Sequence, residues 1–266
     1  MEGATSSAVI NHGIHESATW GALEAASDFF NSSSEEKAEF ESKDSRKPVR
    51  YEAVYKNDHD EARELLDPCL ARDTTALQVR ESILRIDWER MGWYAKAVRK
   101  IALLLMDSIL DMESRGLGPA YLKEKLEEGM QVMVMNCSYL LRIRAMDASP
   151  TFCRAAKAST SLTRRDVPEA PDTLHVHIGD HLEVMSNGKY KRLVHRAVLN
   201  SQKRISIASI HRLSMNEKVT TAEELVDEQH NKGYRDSSFL DFLDFITSTN
   251  KTGGRNFIDS LMLTGN

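Results

Sequence analysis

Apolar residues recur every three or four positions through "DWERMGWYAKAVRKIALLLMDSILDMESRGLG". Met91, Tyr94, Val98, Ile101, Leu105, Ile109 and Met112 fall on one face of a helix. Gly116 supplies a stop after this stripe and Pro119 bars the helix from resuming. The pattern predicts a long helix laid against a core. "ESATWGALEAASDFFNSSSEEKAEF" carries the same period, and Ser34 ahead of Glu-Glu-Lys marks the start of a further turn. Residues 1–129 therefore read as a mainly helical region.

From Leu174 the period changes to two. Leu174, Val176 and Ile178 alternate with His175 and His177, and "KRLVHRAVL" and "RISIASI" alternate in the same way. Asn187-Gly188 stands where a tight hairpin turn wants positive backbone angles. Residues 130–210 thus predict an antiparallel, hairpin-rich β-core. Beyond it, Thr221 with Glu224 has the spacing of a capping box, and a serine caps the apolar helical run "FLDFLDFI". Residues 211–266 read as a helical tail packed on the sheet.

One stretch fits neither period. "SYLLRIRAMDASPTFCRAAKASTSLTRRD", Ser138 to Asp166, holds six arginines and lysines against two aspartates among scattered small residues. Only Phe152 to Ala158 suggests a short helix. With aromatic stacking partners nearly absent, its basicity is a poor match to a nucleic-acid channel.

Composition narrows the classes. The 266-residue chain is 41% hydrophobic and 28% charged with a net charge of −5, an ordinary globular balance. That acidity, with no basic arm, argues against a nucleic-acid partner. The longest apolar burst, Ile101 to Met106, is too short to cross a bilayer. Cys69, Cys137 and Cys153 are too dispersed for a disulfide framework or a zinc knuckle. With no signal-peptide pattern at the start, a cytoplasmic, reducing setting is expected.

Strand alternation then isolates candidate chemistry. Arg204 and Ser206 share a strand face, as do His195 and Ala197 on the neighbouring strand. A guanidinium beside a hydroxyl makes a fork for one carboxylate, and an imidazole can ligate a metal through one ring nitrogen. A lone strand histidine also fits as a hydrogen-bonded core residue.

"INHGI" (Ile10–Ile14), "DFFNSSSEEK" (Asp28–Lys37), "IGDHLEVMSNGKYKRLVHRAVLN" (Ile178–Asn200) and "RISIAS" (Arg204–Ser209) resemble plant 2-oxoglutarate- and Fe(II)-dependent dioxygenases, the isopenicillin N synthase-like enzymes. The resemblance implies an α+β fold with a double-stranded β-helix (jelly-roll) core and flanking N-terminal and C-terminal helices. It implies Fe(II) and 2-oxoglutarate as cofactors and a small plant metabolite as the substrate to be oxidised. It makes His195 a metal ligand, and Arg204 and Ser206 the cosubstrate-binding pair.

In that family a His-x-Asp pair completes the iron site, between a strand like "VMVMNC" and one like "LTILLQ". Here no histidine occurs between His59 and His175, and Ser138 takes the place of the tyrosine that usually follows Asn-Cys. A permitted choice of codons lets "TFCRAAKAS" be read two bases later as Leu-Leu-Gln-Ser-Arg-Gln-Gly-Leu, the family's missing strand. The barrel is therefore expected to be incomplete, its middle missing or frame-shifted. The expected function is that of a family member impaired by the loss of iron ligands, or of a non-catalytic remnant that acts, if at all, as a binding protein.

Overall fold

The computed structural model describes residues 6–42, 44, 46–47, 49–56, 61–70, 88–112, 125–140, 173–192, 204–249 and 256–263. Its strands are β1 (Ser6–Val9), β2 (Val49–Lys56), β3 (Glu61–Leu70), β4 (Met130–Leu140), β5 (Leu174–His177) and β6 (Arg204–Arg212). Its helices are α1 (Glu16–Asn31), α2 (Ser34–Ala38), α3 (Trp88–Met112), α4 (Asp180–Met185), α5 (Phe239–Thr249) and α6 (Phe257–Leu261). Among the described residues, one antiparallel sheet has the order β2-β3-β4-β6 and a second pairs β1 with β5. Gly116, Pro119, residues 141–166 of the aperiodic stretch, and the strand expected around His195 lie outside the described residues.

The expected long helix is α3. Met91, Tyr94 and Ala95 bury its first turns, and Val98 and Ile101 continue the contact at its middle. The small residues Ala22, Ala25 and Ala26 of α1 let the two helices approach closely. Both pack on the sheet face that carries Met133, Met135, Cys137 and Ile207. Phe29 closes the edge of this core, meeting Phe30, Phe40 and Tyr51 edge-on with ring centroids 5.5, 6.1 and 5.6 Å away.

Four local expectations are corrected. The mainly helical reading of 1–129 missed β1, β2 and β3. Val49, Tyr51, Ala53 and Tyr55 do alternate in β2, whereas β3 is written in helix formers ("EARELLDPCL") and is held as a strand by pairing on both sides. Asn187-Gly188 is no hairpin turn. It ends α4, where the Gly188 N–H donates to the Glu183 carbonyl at 2.8 Å and the Asn187 N–H to that of Val184 at 3.1 Å. The φ angles there are +49° and +80°, so the sequence signal for positive φ was right and its context wrong. Thr221 makes no capping box: the helical turn starts after Ala222, and the Thr221 hydroxyl donates to the Val184 carbonyl at 3.2 Å. Ser33, one residue before the expected Ser34, caps α2 with a full capping box to Glu36.

The serine expected before "FLDFLDFI" is Ser238. Its N–H and hydroxyl both donate to Asp241 Oδ2, and the Asp241 N–H returns a bond to Ser238 Oγ. The tail forms its own core, in which Phe257, Ile258 and Leu261 of α6 meet Val184 and Met185 of α4, with Phe242 and Phe245 of α5 alongside. It reaches the four-stranded sheet at the end of β6, where the Arg212 guanidinium covers the Phe239 ring.

Candidate functional site

Alternation gives the four-stranded sheet two unlike faces. Met133, Met135 and Cys137 of β4 turn into the helices and are 0% exposed, joined by Ile205 and Ile207 of β6. Val132, Val134 and Asn136 therefore occupy the opposite face, together with Ser206. In the register of β4 and β6, Asn136 stands directly opposite Ser206, and Ser138 opposite Arg204. Cross-strand partners of this kind hold their Cβ atoms about 4.5–5.5 Å apart.

Asn136 is the informative residue. It is only 8% exposed, and its amide nitrogen Nδ2 is buried without a hydrogen-bond partner. Leaving a buried donor unmade costs about 1–3 kcal/mol, so an apolar residue would be the better choice if the fold alone were at stake. The Asn136 donor thus faces the Ser206 position, with the Arg204 position two residues along β6. The row continues through Leu65 to Glu52 of β2, whose carboxylate is paired with Arg50 at 3.2 Å. The sequence reading named Arg204 and Ser206 and missed Asn136. The available signal was a lone amide in the apolar strand "VMVMNC", out of phase with the helix-facing residues.

Three of the described histidines lie on other strand positions. His211 lies on the helix-facing side of β6, where its Nε2 meets Ser209 Oγ at 3.0 Å and Ser209 accepts from Gln131 Nε2 at 2.8 Å. Burial, and then the nearby Arg99, push its pKa down to about 4. His175 and His177 lie on β5, in register with Ala8 and Ser6 of β1. His195, the expected metal ligand, lies outside the described residues.

A facial iron site needs a histidine, a carboxylate two residues on, and a distal histidine. The chain has two His-x-Asp/Glu spacings: His59-Asp60-Glu61, whose histidine lies outside the described residues, and His181-Leu182-Glu183, on α4. Burial, and then Arg212, hold the His181 pKa down to about 4, and a nearby guanidinium also repels a cation. Glu183 is 3% exposed and already engaged: it accepts from Tyr234 Oη at 2.8 Å, the Arg192 N–H at 2.8 Å and Lys191 Nζ at 3.3 Å. Lys191 also donates to Tyr234 Oη at 3.0 Å. A Cβ on Gly188 would crowd Lys191 Nζ at 2.8 Å and Tyr234 Oη at 2.9 Å, and the φ of +80° there favours glycine. The pair is a structural clasp and not an iron-binding pair. Among the described residues no group of three His, Cys, Asp or Glu side chains is placed to hold a metal ion. Among the described residues, then, the unanswered Asn136 amide suits an acceptor such as a carboxylate oxygen, and no set of side chains is placed to hold Fe(II).

Comparison with known proteins gives the context. The family model described as the 2OG-Fe(II) oxygenase superfamily matches residues 157–213. Two rice (Oryza sativa subsp. japonica) proteins align along nearly the whole chain. The 2-oxoglutarate-dependent dioxygenase 21, chloroplastic, is 42% identical over 96% of this chain and 81% of its own length. Flavanone 3-dioxygenase 3 is 40% identical over 96% and 82%. The crystal structure of JOX2 in complex with 2OG, Fe and JA superposes with a TM-score of 0.75 at 18% identity, covering 98% of this chain and 83% of that one. The dioxygenase for auxin oxidation (DAO) in rice gives 0.69 at 18% identity, covering 97% and 90%. The α+β architecture is accordingly the jelly roll of these oxygenases, with the α1–α3 face and the α5–α6 tail flanking it. No described helix is long and apolar enough to cross a membrane. With whole-length identity of this order to a named dioxygenase, the chain belongs to the 2-oxoglutarate-dependent dioxygenase family, whose cofactors are Fe(II) and 2-oxoglutarate.

Proposed function

We propose that this chain is a family member that keeps the cosubstrate-carboxylate half of the site and has not built the metal half. One observation carries the reading: no histidine lies between His59 and His175, so the His-x-Asp pair is absent where the family places it. Of the expected ligands only His195 is present, and one imidazole is too weak a donor set to retain Fe(II) against cellular competitors. The patch at Asn136, Ser206 and Arg204 supports the other half of the proposal. In this reading residues 130–210 are the dioxygenase-like core between the helical parts, and Arg204 and Ser206 bind the distal carboxylate of 2-oxoglutarate.

The substrate class proposed is a small plant metabolite. It follows the relatives' names, which speak of a flavanone and of auxin oxidation, and the neighbour holding JA. Three dispersed cysteines suit a reducing compartment, here the cytoplasm. A working dioxygenase is the second reading, favoured by the 42% identity to a named enzyme over 96% of the chain.

The two part in one assay. Purified protein reconstituted with Fe(II) and 2-oxoglutarate is expected to retain far less than one iron per chain and to release no succinate above a protein-free control. Fe(II)-dependent succinate release that His195→Ala abolishes would establish the second reading instead.

A further inference from the structure

The helix pair that covers the sheet turns a second face outward, and its charge is unevenly divided. On α1 the exposed side chains include Glu16, Trp20, Glu24 and Asp28, which recur every four residues and so form one stripe. On α3 they include Arg90, Trp93, Lys96, Lys100 and Leu104, with Glu89 as the only exposed carboxylate among the described residues of that helix. One stripe is acidic and its neighbour basic. Each carries a tryptophan more than half exposed, 58% at Trp20 and 59% at Trp93, and neither indole joins a core. The Arg90 guanidinium reaches Glu24 at 3.1 Å, and both tryptophans line one groove of about 340 Å³ between the helices. A single exposed apolar side chain is ordinary on a folded protein. Two indoles flanking one groove, with Leu104 further along α3, form a patch with no task in the isolated chain.

We infer that this face is the contact surface of an isologous dimer, in which α1 of each copy lies on α3 of its partner. Charge selects both the occupant and its orientation. A two-fold axis along the groove lays each acidic stripe on the other copy's basic stripe, so both contacts are attractive. An axis across the helices would set acid on acid and base on base. The favoured axis also brings Trp20 of each copy towards Trp93 of the other, giving an aromatic centre with a charged rim. Size then sets the strength. At about 1.5 Å per residue and about 11 Å across, the 16 residues of α1 and 25 of α3 present about 700 Å² in projection. A standard interface buries about 800 Å² per partner, so this dimer sits at the small end and dissociates in the micromolar range. The contact is independent of the proposed function, because it uses the side of the helices turned away from the sheet.

Sedimentation velocity on the full chain, from about 5 to about 300 μM, tests this. A monomer–dimer equilibrium is expected, weakened at least about threefold by raising the salt to about 0.5 M. Trp20→Ala and Trp93→Ala should each weaken it by about tenfold or more. Two charge reversals give the sharpest comparison. Glu24→Lys/Asp28→Lys turns α1 basic beside the basic α3, and Lys96→Glu/Lys100→Glu turns α3 acidic beside the acidic α1. Each variant alone should stay monomeric, while an equimolar mixture should form a heterodimer, which misfolding of either variant cannot imitate. A wild-type chain that stays monomeric up to about 300 μM overturns the inference. A dimer that survives both reversals places the contact on another face and overturns it too. Absence of the heterodimer, with native circular dichroism in both variants, does the same. A monomer whose tryptophan emission resists acrylamide would show the face covered by the chain itself, and is equally contrary.

Discussion

Asn136 sets a stability cost against a binding role. An amide donor held at 8% exposure without a partner should be a net burden to the ligand-free fold. Asn136→Leu, close in shape and lacking the polar atoms, is therefore expected to raise stability by about 1 kcal/mol in urea unfolding while abolishing carboxylate binding. A variant destabilised by more than about 1 kcal/mol would mean that the amide serves the fold. Glu183 is the counter-example: equally buried, it is fully hydrogen-bonded, and its chemistry is exhausted by Tyr234, Lys191 and the Arg192 N–H. Burial of a polar group points to a ligand only where the protein itself leaves an atom unanswered.

At the scale of elements, α4 and β6 each carry a largely buried imidazole that favours the neutral form. The pKa values of His181 and His211 are pushed from 6.5 down to about 4, chiefly by burial. Unfolded, these side chains protonate below about 6.5, and folded they resist until about 4. The unfolded state thus binds more protons across that window, so stability falls as pH drops through it and levels off below. The drop amounts to at most about 3 kcal/mol per histidine. Urea midpoints should fall between pH 6.5 and 5, and the slope should flatten in the double variant His181→Gln/His211→Gln. An unchanged slope would assign the effect to carboxylates. The same elements show what the sequence made legible. The α3 stripe and β6 alternation were readable because each buries one continuous face. Asn187-Gly188 specified positive φ, which both a hairpin and a helix end require, and only the packing of Val184 and Met185 chose the helix. β3 was hidden because its helix-forming residues are overruled by strand neighbours that no local window contains.

For the whole molecule, the sequence revealed the family and the lack of any histidine between His59 and His175, and it suggested Arg204 and Ser206 as the carboxylate-binding pair that the proposed function keeps. It hid Asn136, because a role set by the residue across the sheet is fixed by the β4–β6 register, and registry between strands some 70 residues apart has no local signature. The relation between the two halves leads to a final prediction. If the loss is confined to the segment between β4 and β5, everything needed to receive it is still in place: the strand with Asn136 before it, and the strand with Arg204 and Ser206 after it. Replacing residues 138–166 with the corresponding segment of the 42%-identical rice dioxygenase should then restore about one Fe(II) per chain and slow, iron-dependent succinate release. It should also restore a preference for 2-oxoglutarate over glutarate of more than tenfold, since chelation adds a bidentate contact that hydrogen bonds cannot supply. His195→Ala in the chimera should remove all three gains together. A chimera that melts cooperatively yet binds no iron would place the defect outside this segment, and would mean that the surviving strands no longer present His195 to a metal.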